Sequence, residues 1–191
     1  MVDSDISILK KMIQQTTIEK LKFKDKKNIV ELKEESDDYT LTIHRMPDDK
    51  EVIVIKVDNF SAPTTIFQGT KSECKRTDFV IIADIINKEK FIVFIEMKAK
   101  KKTSKEKEII QQLKGAQCFV EYCQAIGKSF WEKRNFLDDY KYRFVSFKNI
   151  KIPKKPTRSK SKNAIHDTPE NMLKISSPDY ICFNHVIWRK K

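Results

Sequence analysis

The stretch TDFVIIADIINKEKFIVFIEMKAKKK, which runs from Thr77 to Lys102, decides the fold. It consists of two apolar runs joined by a short polar segment, the pattern of a buried β-hairpin. Charged residues nevertheless occur at one end of both runs, Asp78 in the first and Glu96 and Lys98 in the second. Because a buried charge is costly unless it is paired or bound to a metal, the charges at this end of the hairpin need an explanation.

Side chains alternate between the two faces of a strand, so Glu96 and Lys98 are predicted to share one face. Both faces of this second run are apolar, which is typical of a central strand rather than an edge strand. The position of Asp78 depends on the hairpin register. An even pairing sum places Asp78 opposite Lys98 and diagonal to Glu96, whereas an even-numbered loop without a bulge turns it to the other face. The sequence leaves this register open, and it predicts that the competing acid Asp84 lies near the hairpin tip, facing solvent.

Further elements are predicted on both sides of the hairpin. Asp3 or Ser4 is placed to cap a first amphipathic helix. The segments NIVELKEE, YTLTIHRM and EVIVIKVDNF predict three strands in a meander, and YKYRFVSF and PDYICFNHVIW predict two later strands. Between hairpin and later strands, a long helix is expected, with a capping box of Thr103 and Glu106 and its end at Gly127. Gly115 within it permits close packing. One face of this helix is apolar, formed by Ile109, Leu113, Ala116, Val120 and Cys123.

The order strand, helix, strand is the unit that gives neighbouring parallel strands. We therefore predict an α/β fold in which a mixed central sheet is flanked by helices. No internal repeat or second domain is evident, so residues 1–191 are expected to form a single domain. The segment Lys148 to Asn163 is rich in basic residues and lacks acids, and it predicts an exposed, mobile basic loop.

Composition indicates the class of partner. The chain has 39 lysines and arginines against 27 acids, a net charge of +12 and a pI near 9.4. Such a balance favours a polyanionic partner, nucleic acid first and an anionic membrane surface second, although lysine-rich surfaces also occur in proteins that bind neither. No signal peptide or membrane span is recognisable, so a cytoplasmic location is expected. The scattered cysteines and histidines make a zinc site improbable.

The charges of the hairpin suggest a chemistry. If the register brings Asp78 to the face of Glu96 and Lys98, two carboxylates and an ammonium converge at one end of the sheet. Two partly buried carboxylates repel each other unless a hard divalent cation bridges them, and Mg²⁺ suits such a site. The lysine would then position or activate a water, or stabilise developing charge on phosphorus. This is equipment for metal-assisted phosphodiester hydrolysis.

These residues resemble the PD-(D/E)xK nuclease superfamily, whose restriction-endonuclease-like core runs helix, strand meander, hairpin, helix, strand. The resemblance rests on TD followed by EMK and on QQL in the next helix, and it covers 77–147, with Thr77 where the family name has proline. It implies that Asp78, Glu96 and the carbonyl of Met97 bind Mg²⁺, for which Mn²⁺ can substitute, and that Lys98 is catalytic. Gln112 is implied as a further catalytic residue or, equally, as a boundary residue of its helix. Glu19 is a weaker candidate for an additional acid.

Basic residues near the motif are the candidates for binding nucleic acid, with a solvated surface as the alternative reading. They are Lys75, Arg76, Lys100, Lys101, Lys102, Lys154, Lys155 and Arg158. The expected function is a Mg²⁺-dependent endonuclease that cuts DNA, of restriction or phage-defence type, and a homodimer is the simplest way to cut both strands of a duplex. The alternatives are a catalytically inactive nucleic-acid-binding or complex-assembly module on the same fold, and an RNA-cleaving effector.

Overall fold

A computed structural model of the chain describes residues 3–34, 39–59, 62–85, 89–98, 105–148, 165–176 and 178–188. Most of the basic segment at 148–163 lies outside these ranges, as do Lys100, Lys101, Lys102, Lys154, Lys155 and Arg158. The predictions made for them stay predictions. Within the described ranges, no helix is both long and apolar enough to cross a membrane.

Three α-helices and nine strands, with several short 3-10 turns between them, make up the regular structure of the described residues. In chain order they are α1 (Asp5–Met12), β1 (Lys22–Lys24), β2 (Lys27–Glu34), β3 (Tyr39–His44), β4 (Val52–Lys56), β5 (Phe79–Asp84), β6 (Lys90–Lys98), α2 (Glu106–Phe130), β7 (Lys141–Lys148), β8 (Leu173–Ser176), β9 (Tyr180–Cys182) and α3 (Phe183–Ile187). Ser4 caps α1 by accepting a 3.1 Å hydrogen bond from the amide of Ser7, as the sequence predicted.

The strands form two mixed sheets. The five-stranded sheet has the order β4-β5-β6-β7-β8, and the four-stranded sheet has the order β1-β2-β3-β9. The predicted hairpin is β5 and β6, which pair antiparallel in the middle of the larger sheet. β6 and β7 pair in parallel across the crossover helix α2, which confirms the strand, helix, strand prediction. The α/β class is thus confirmed, with two sheets where one was expected.

The predicted meander is wrong at its third strand. β2 and β3 pair with each other, but β4 leaves them and pairs with β5 in the other sheet. Burial explains the split. Side chains of β3 alternate between buried and more exposed positions, whereas every residue of β4 is buried. A strand that is buried on both faces needs a covering layer on each side, and the five-stranded sheet supplies that position.

The predicted closing strand is also corrected, since only Tyr180–Cys182 is extended and Phe183–Ile187 is helical. Phe183, Val186 and Ile187 are buried, and their spacing of three and four residues is that of one helix face. The neighbour of β7 is instead β8, which sequence reasoning missed because its four residues alternate without a fully buried position.

The five-stranded sheet is covered on both faces. Its even-numbered hairpin residues, such as Val80, Ile92 and Phe94, pack in one apolar cluster with residues of α1 and α2. The odd-numbered ones, such as Ile81 and Val93, pack with residues of β2 and β3 in a second cluster. The prediction that β6 is a central strand with two apolar faces is therefore confirmed, and the molecule is layered helix, sheet, sheet.

Helix α2 has the predicted apolar face, and Ile109, Leu113, Ala116, Val120 and Cys123 are all buried. Both predicted ends are wrong. The predicted cap residue Thr103 lies outside the described residues, and the N-cap is Lys105, which makes no side-chain capping bond. Glu106 and Glu108 place negative charge in the first turn, where the helix dipole favours it. The helix continues past Gly127 to Phe130 because Gly127 packs against the ring of Phe136, so that this glycine serves close contact and not termination.

Candidate active site

The hairpin register decides the geometry of the site. β5 and β6 pair Phe79 with Ile95 and Asp84 with Lys90, so the pairing sum is even. Continued by one residue, this register sets Asp78 opposite Glu96, and not opposite Lys98 as the even register was expected to do. The odd number of residues between Asp84 and Lys90 produces this result. Asp78, Glu96 and Lys98 consequently share the face of the sheet that α1 and α2 cover.

Asp78 is anchored to both neighbouring strands. Its carboxylate Oδ2 accepts a 2.5 Å hydrogen bond from the amide of Met97, and its carbonyl accepts a 2.8 Å bond from the amide of Val57. The side chain is buried, with 8% of the residue exposed. Burial first, and next the charge of Glu96, raise the pKa of Asp78 well above its ordinary value. The Met97 bond acts in the opposite direction by stabilising the ionised form.

Glu96 has no solvent exposure, and its Oε2 lies 2.9 Å from the hydroxyl of Thr77. The same hydroxyl lies 2.5 Å from the carbonyl of Ile95. A hydroxyl carries one proton, so Thr77 can donate to one of these acceptors at a time. When it donates to Ile95, a protonated Glu96 can donate to the Thr77 oxygen. Burial raises the pKa of Glu96 to about 7, against the lowering effect of Lys98 and Thr77, which makes this protonated form accessible near neutral pH.

Lys98 forms an ion pair with Oε1 of Glu96. Partial burial disfavours the charged ammonium, but the charge and hydrogen bond of Glu96, together with the charge of Asp78, outweigh this and raise the pKa of Lys98. Lys98 is therefore a cation at neutral pH. It is also the least buried of the three, with 20% of its side chain exposed, so its ammonium lies at the boundary between the carboxylates and solvent.

Helix α2 holds the segment that leads into Asp78. The Gln112 amide donates a 3.4 Å hydrogen bond to the carbonyl of Arg76. One turn later, a Cβ added at Gly115 would lie 1.7 Å from the carbonyl oxygen of Lys75. The predicted close packing at Gly115 is thus confirmed, and the contact is with the chain just before the site. Gln112 faces the same segment, while Gln111 is bonded to the more distant carbonyl of Lys71.

Two residues near the site were missed by sequence reasoning. Ser146 pairs with Glu96 in the β6–β7 ladder, is fully buried, and has a hydroxyl without a hydrogen-bond partner among the described residues. Directly paired side chains point to the same face, with Cβ atoms about 5 Å apart, so Ser146 lies beside Glu96. Its signal was the polar break in the even-numbered set Tyr142, Phe144, Ser146. Glu34, at the end of β2, belongs to the other sheet, and no local pattern marked it. Its negative charge contributes to raising the pKa values of Asp78, Glu96 and Lys98.

The remaining candidates are placed as follows. Glu19 lies away from the site, because its amide bonds the carbonyl of Val54, and Val54 pairs with Ile81, three residues or about 10 Å along β5 from Asp78. Asp84 pairs with Lys90 beside the hairpin turn, as expected, but it does not face open solvent, because its side chain is half-buried and forms an ion pair with Lys90. Lys75 is exposed and Arg76 half-buried, and both belong to the segment that leads into Asp78.

The oxygen atoms at this edge fit a hard cation with incomplete protein coordination. In the ranges that the structure describes, no group of three or more His, Cys, Asp and Glu side chains is arranged to hold a metal ion. Asp78 and Glu96 are a pair, and Mg²⁺ typically takes only one or two carboxylates and retains several waters. Because the N–H and C=O of a strand residue point to the same side, Met97, whose amide faces Asp78, directs its carbonyl toward this edge as well.

No family model matched the sequence, and neither a curated protein nor a solved structure matched it.

Proposed function

We propose that this chain is a divalent-metal-dependent nuclease of the PD-(D/E)xK type, which hydrolyses phosphodiester bonds in DNA with Asp78, Glu96 and Lys98. One observation carries the proposal. Two buried carboxylates and a protonated lysine lie on one face at one end of the central hairpin, where burial raises the pKa values of both carboxyl groups and nearby negative charge adds to the effect. Such an arrangement costs folding free energy, so a role for it other than stability is the reasonable inference.

A divalent ion, held by Asp78, Glu96 and the Met97 carbonyl, would supply Lewis acidity and a water that loses its proton more readily. The donor set fits because all its atoms are hard oxygens. Oδ2 of Asp78 is occupied by the Met97 amide, which leaves Oδ1 for the ion. Lys98 now neutralises Glu96, so an ion at Glu96 would release the ammonium from its carboxylate partner.

The residues of the chain would divide the work in hydrolysis. Water attacks phosphorus and gives up a proton to solvent, the phosphorus–oxygen bond to the leaving group breaks, and the leaving oxygen takes up a proton from solvent. Because Lys98 is protonated, we assign it to stabilising negative charge on the phosphate oxygens rather than to accepting a proton from water. The Met97 amide would orient Asp78. Gln112, through its bond to Arg76, would hold the segment that presents Asp78.

The proposed substrate is double-stranded DNA in the cytoplasm, and the supporting observation is charge. With a net charge of +12, the chain is attracted to phosphate backbones, and Lys75 and Arg76 precede Asp78 by three and two residues. A homodimer would place two such sites on the two strands of a duplex. Restriction or phage defence is the biological role that the family resemblance suggests.

The direct test is cleavage of supercoiled plasmid with Mg²⁺, Mn²⁺ or chelator present. Wild type should cleave the plasmid, and the Lys98→Ala and Glu96→Gln variants should not. Lys90→Ala is the matched control, because Lys90 lies on the same strand, also carries an ion pair to a carboxylate, and is at the opposite end of the hairpin. Equal cleavage by wild type and Lys98→Ala would remove Lys98 from the mechanism, and cleavage in chelator would remove the metal.

A second candidate function is a metal-free module that binds nucleic acid without cutting it. The ion pair of Lys98 with Glu96, together with the lack of a third acidic ligand among the described residues, favours this reading. Titration with Mg²⁺ and Mn²⁺ by calorimetry distinguishes the two. Heat of binding that disappears in Asp78→Asn supports the nuclease, whereas DNA binding without any metal binding supports the module. Competition between DNA and RNA substrates tests the RNA-cleaving alternative.

A further inference from the structure

The loop at 62–77 connects the end of β4 to Asp78 and exposes two large apolar side chains. Ile66 is 78% exposed and Phe67 is 52% exposed. A single exposed apolar residue on a surface is ordinary. Here the two are adjacent, and they belong to the segment that ends at the candidate active site.

The loop is held in place by several contacts, so the exposure of Phe67 is a property of an ordered segment. The Glu73 carboxylate accepts hydrogen bonds from the amides of Gly69 at 3.0 Å and Lys71 at 2.8 Å. The Cys74 thiol donates to the Phe67 carbonyl, with Sγ 3.6 Å from the oxygen. The Phe67 amide in turn bonds the carbonyl of Pro63 at 2.9 Å. A surface fixed in this way loses little conformational entropy when it binds a ligand.

Helix α2 ties the same loop to the core. Gln111 donates to the carbonyl of Lys71 at 3.4 Å, Gln112 donates to that of Arg76 at 3.4 Å, and Gly115 packs on Lys75. The position of the loop relative to the carboxylates is therefore set by the helix and does not depend on the loop alone.

The charge presented by the loop is positive. Lys71, Lys75 and Arg76 are its basic residues, and Glu73 is its one acid. The carboxylate of Glu73 is engaged by the loop's own amides, while Lys71 and Lys75 are exposed. A surface that combines cations with an exposed aromatic ring fits a nucleic-acid strand, since the cations attract phosphates and any base can stack on the ring.

The 62–77 loop and Asp78 are close enough for one nucleic-acid strand to contact both. Cys74 contacts the Phe67 carbonyl and precedes Asp78 by four residues, so their Cα atoms are separated by at most about 14 Å. This is the length of about four base steps along a duplex. Adding the 3.6 Å contact between Cys74 and Phe67 and the length of the cysteine side chain extends the bound to about 20 Å from the Phe67 carbonyl, or about six base steps.

We propose that the 62–77 loop binds an unpaired nucleotide beside the cleaved bond, with Phe67 stacked on the base and Lys71 and Lys75 against the backbone phosphates. The proposal rests on the proposed nuclease function and narrows its substrate to duplex DNA that is locally unpaired near the point of cleavage. A base can stack on an aromatic side chain only when it is free of its neighbouring base. In intact duplex DNA the bases are stacked on one another, so none is available to Phe67.

The test measures binding of a fluorescein-labelled single-stranded oligonucleotide by anisotropy, in chelator so that no cleavage occurs. Phe67→Ala should weaken binding roughly 5- to 150-fold, the range for one base–aromatic stack. An oligonucleotide of the same length with abasic sugars should bind wild type and Phe67→Ala equally, because no base remains to stack. Phe130→Ala is the matched control, since Phe130 is an exposed aromatic, 79% exposed, at the far end of α2, and it should bind as wild type does.

The outcomes separate this inference from the function on which it rests. The stacking role is overturned if Phe67→Ala binds the normal oligonucleotide as tightly as wild type does. It is also overturned if the substitution lowers affinity for the abasic oligonucleotide as much as for the normal one. If wild type cleaves intact duplex as fast as a substrate with an unpaired gap, the substrate preference is overturned and the nuclease stands. If wild type neither binds nor cleaves any of these strands, the proposed function falls together with the loop's role.

Discussion

Replacing Gly115 by alanine is expected to disturb the candidate site from outside it. The new Cβ would lie 1.7 Å from the carbonyl oxygen of Lys75, and contacts below 3.0 Å essentially do not occur, so helix α2 and the Lys75 backbone must separate by about 1.3 Å. Overpacking of this kind costs about 1–3 kcal/mol, partly offset by the better helix propensity of alanine, about 1 kcal/mol. The displaced backbone is the one that leads to Asp78. A misplacement of about 1 Å can lower a reaction rate about 100-fold.

Gly127→Ala is the matched control for this substitution. It makes the same exchange in the same helix and also clashes, with a Cβ 2.1 Å from the ring of Phe136, but it lies twelve residues, or about 18 Å, further along α2. Urea unfolding should show both variants to be less stable than wild type. Only Gly115→Ala should shift the ¹⁵N–¹H resonance of Met97, whose amide donates to Asp78. Only this variant should also cleave DNA more slowly than wild type under conditions in which both proteins are folded. An unchanged Met97 resonance in Gly115→Ala, or an equal effect of Gly127→Ala, would refute the coupling between helix and site.

Three further predictions concern the charges of the site and its surroundings. The pKa of Glu96 is raised to about 7 from 4.5, so its ionisation opposes folding. The free energy of unfolding of wild type, compared with that of Glu96→Gln, should therefore fall by up to about 3 kcal/mol as pH rises from about 4.5 to 7. Urea unfolding of both proteins without metal, at several pH values, measures this difference in the free energy of unfolding. Adding Mg²⁺ should reverse the fall. A difference that stays flat or rises with pH contradicts the prediction. Ser146→Ala removes a buried hydroxyl that has no hydrogen-bond partner among the described residues. Urea unfolding should show stability unchanged or raised by about 1–2 kcal/mol, and a marked loss of stability would mean that the hydroxyl is bonded. Replacing Lys100, Lys101 and Lys102 by alanine should reduce the slope of log binding constant against log salt by about 2.7 on duplex DNA if each contacts a phosphate, and an unchanged slope would exclude them.

The composition of the strands was enough to identify the hairpin and its central position. Alternation alone assigned Glu96 and Lys98 to one face of β6, because side chains in a strand repeat every two residues. The apolar face of α2 followed from helical periodicity, and the parallel pairing of β6 with β7 followed from the order strand, helix, strand. These features are encoded locally, and the sequence determined them without knowledge of neighbours.

The tertiary structure decided what depends on contacts between distant parts of the chain. The pairing sum of β5 and β6 brings Asp78 opposite Glu96, and a shift by one residue would have reversed its face. The β6–β7 ladder brings Ser146 beside Glu96, and the packing of the second sheet brings the charge of Glu34 near the site. Gly127 reads as a helix end by sequence but is a packing contact with Phe136. Registers and layer contacts arise from the balance of packing over the whole core, so no single segment specifies them, whereas the identity and face of each charged residue are specified by its own strand.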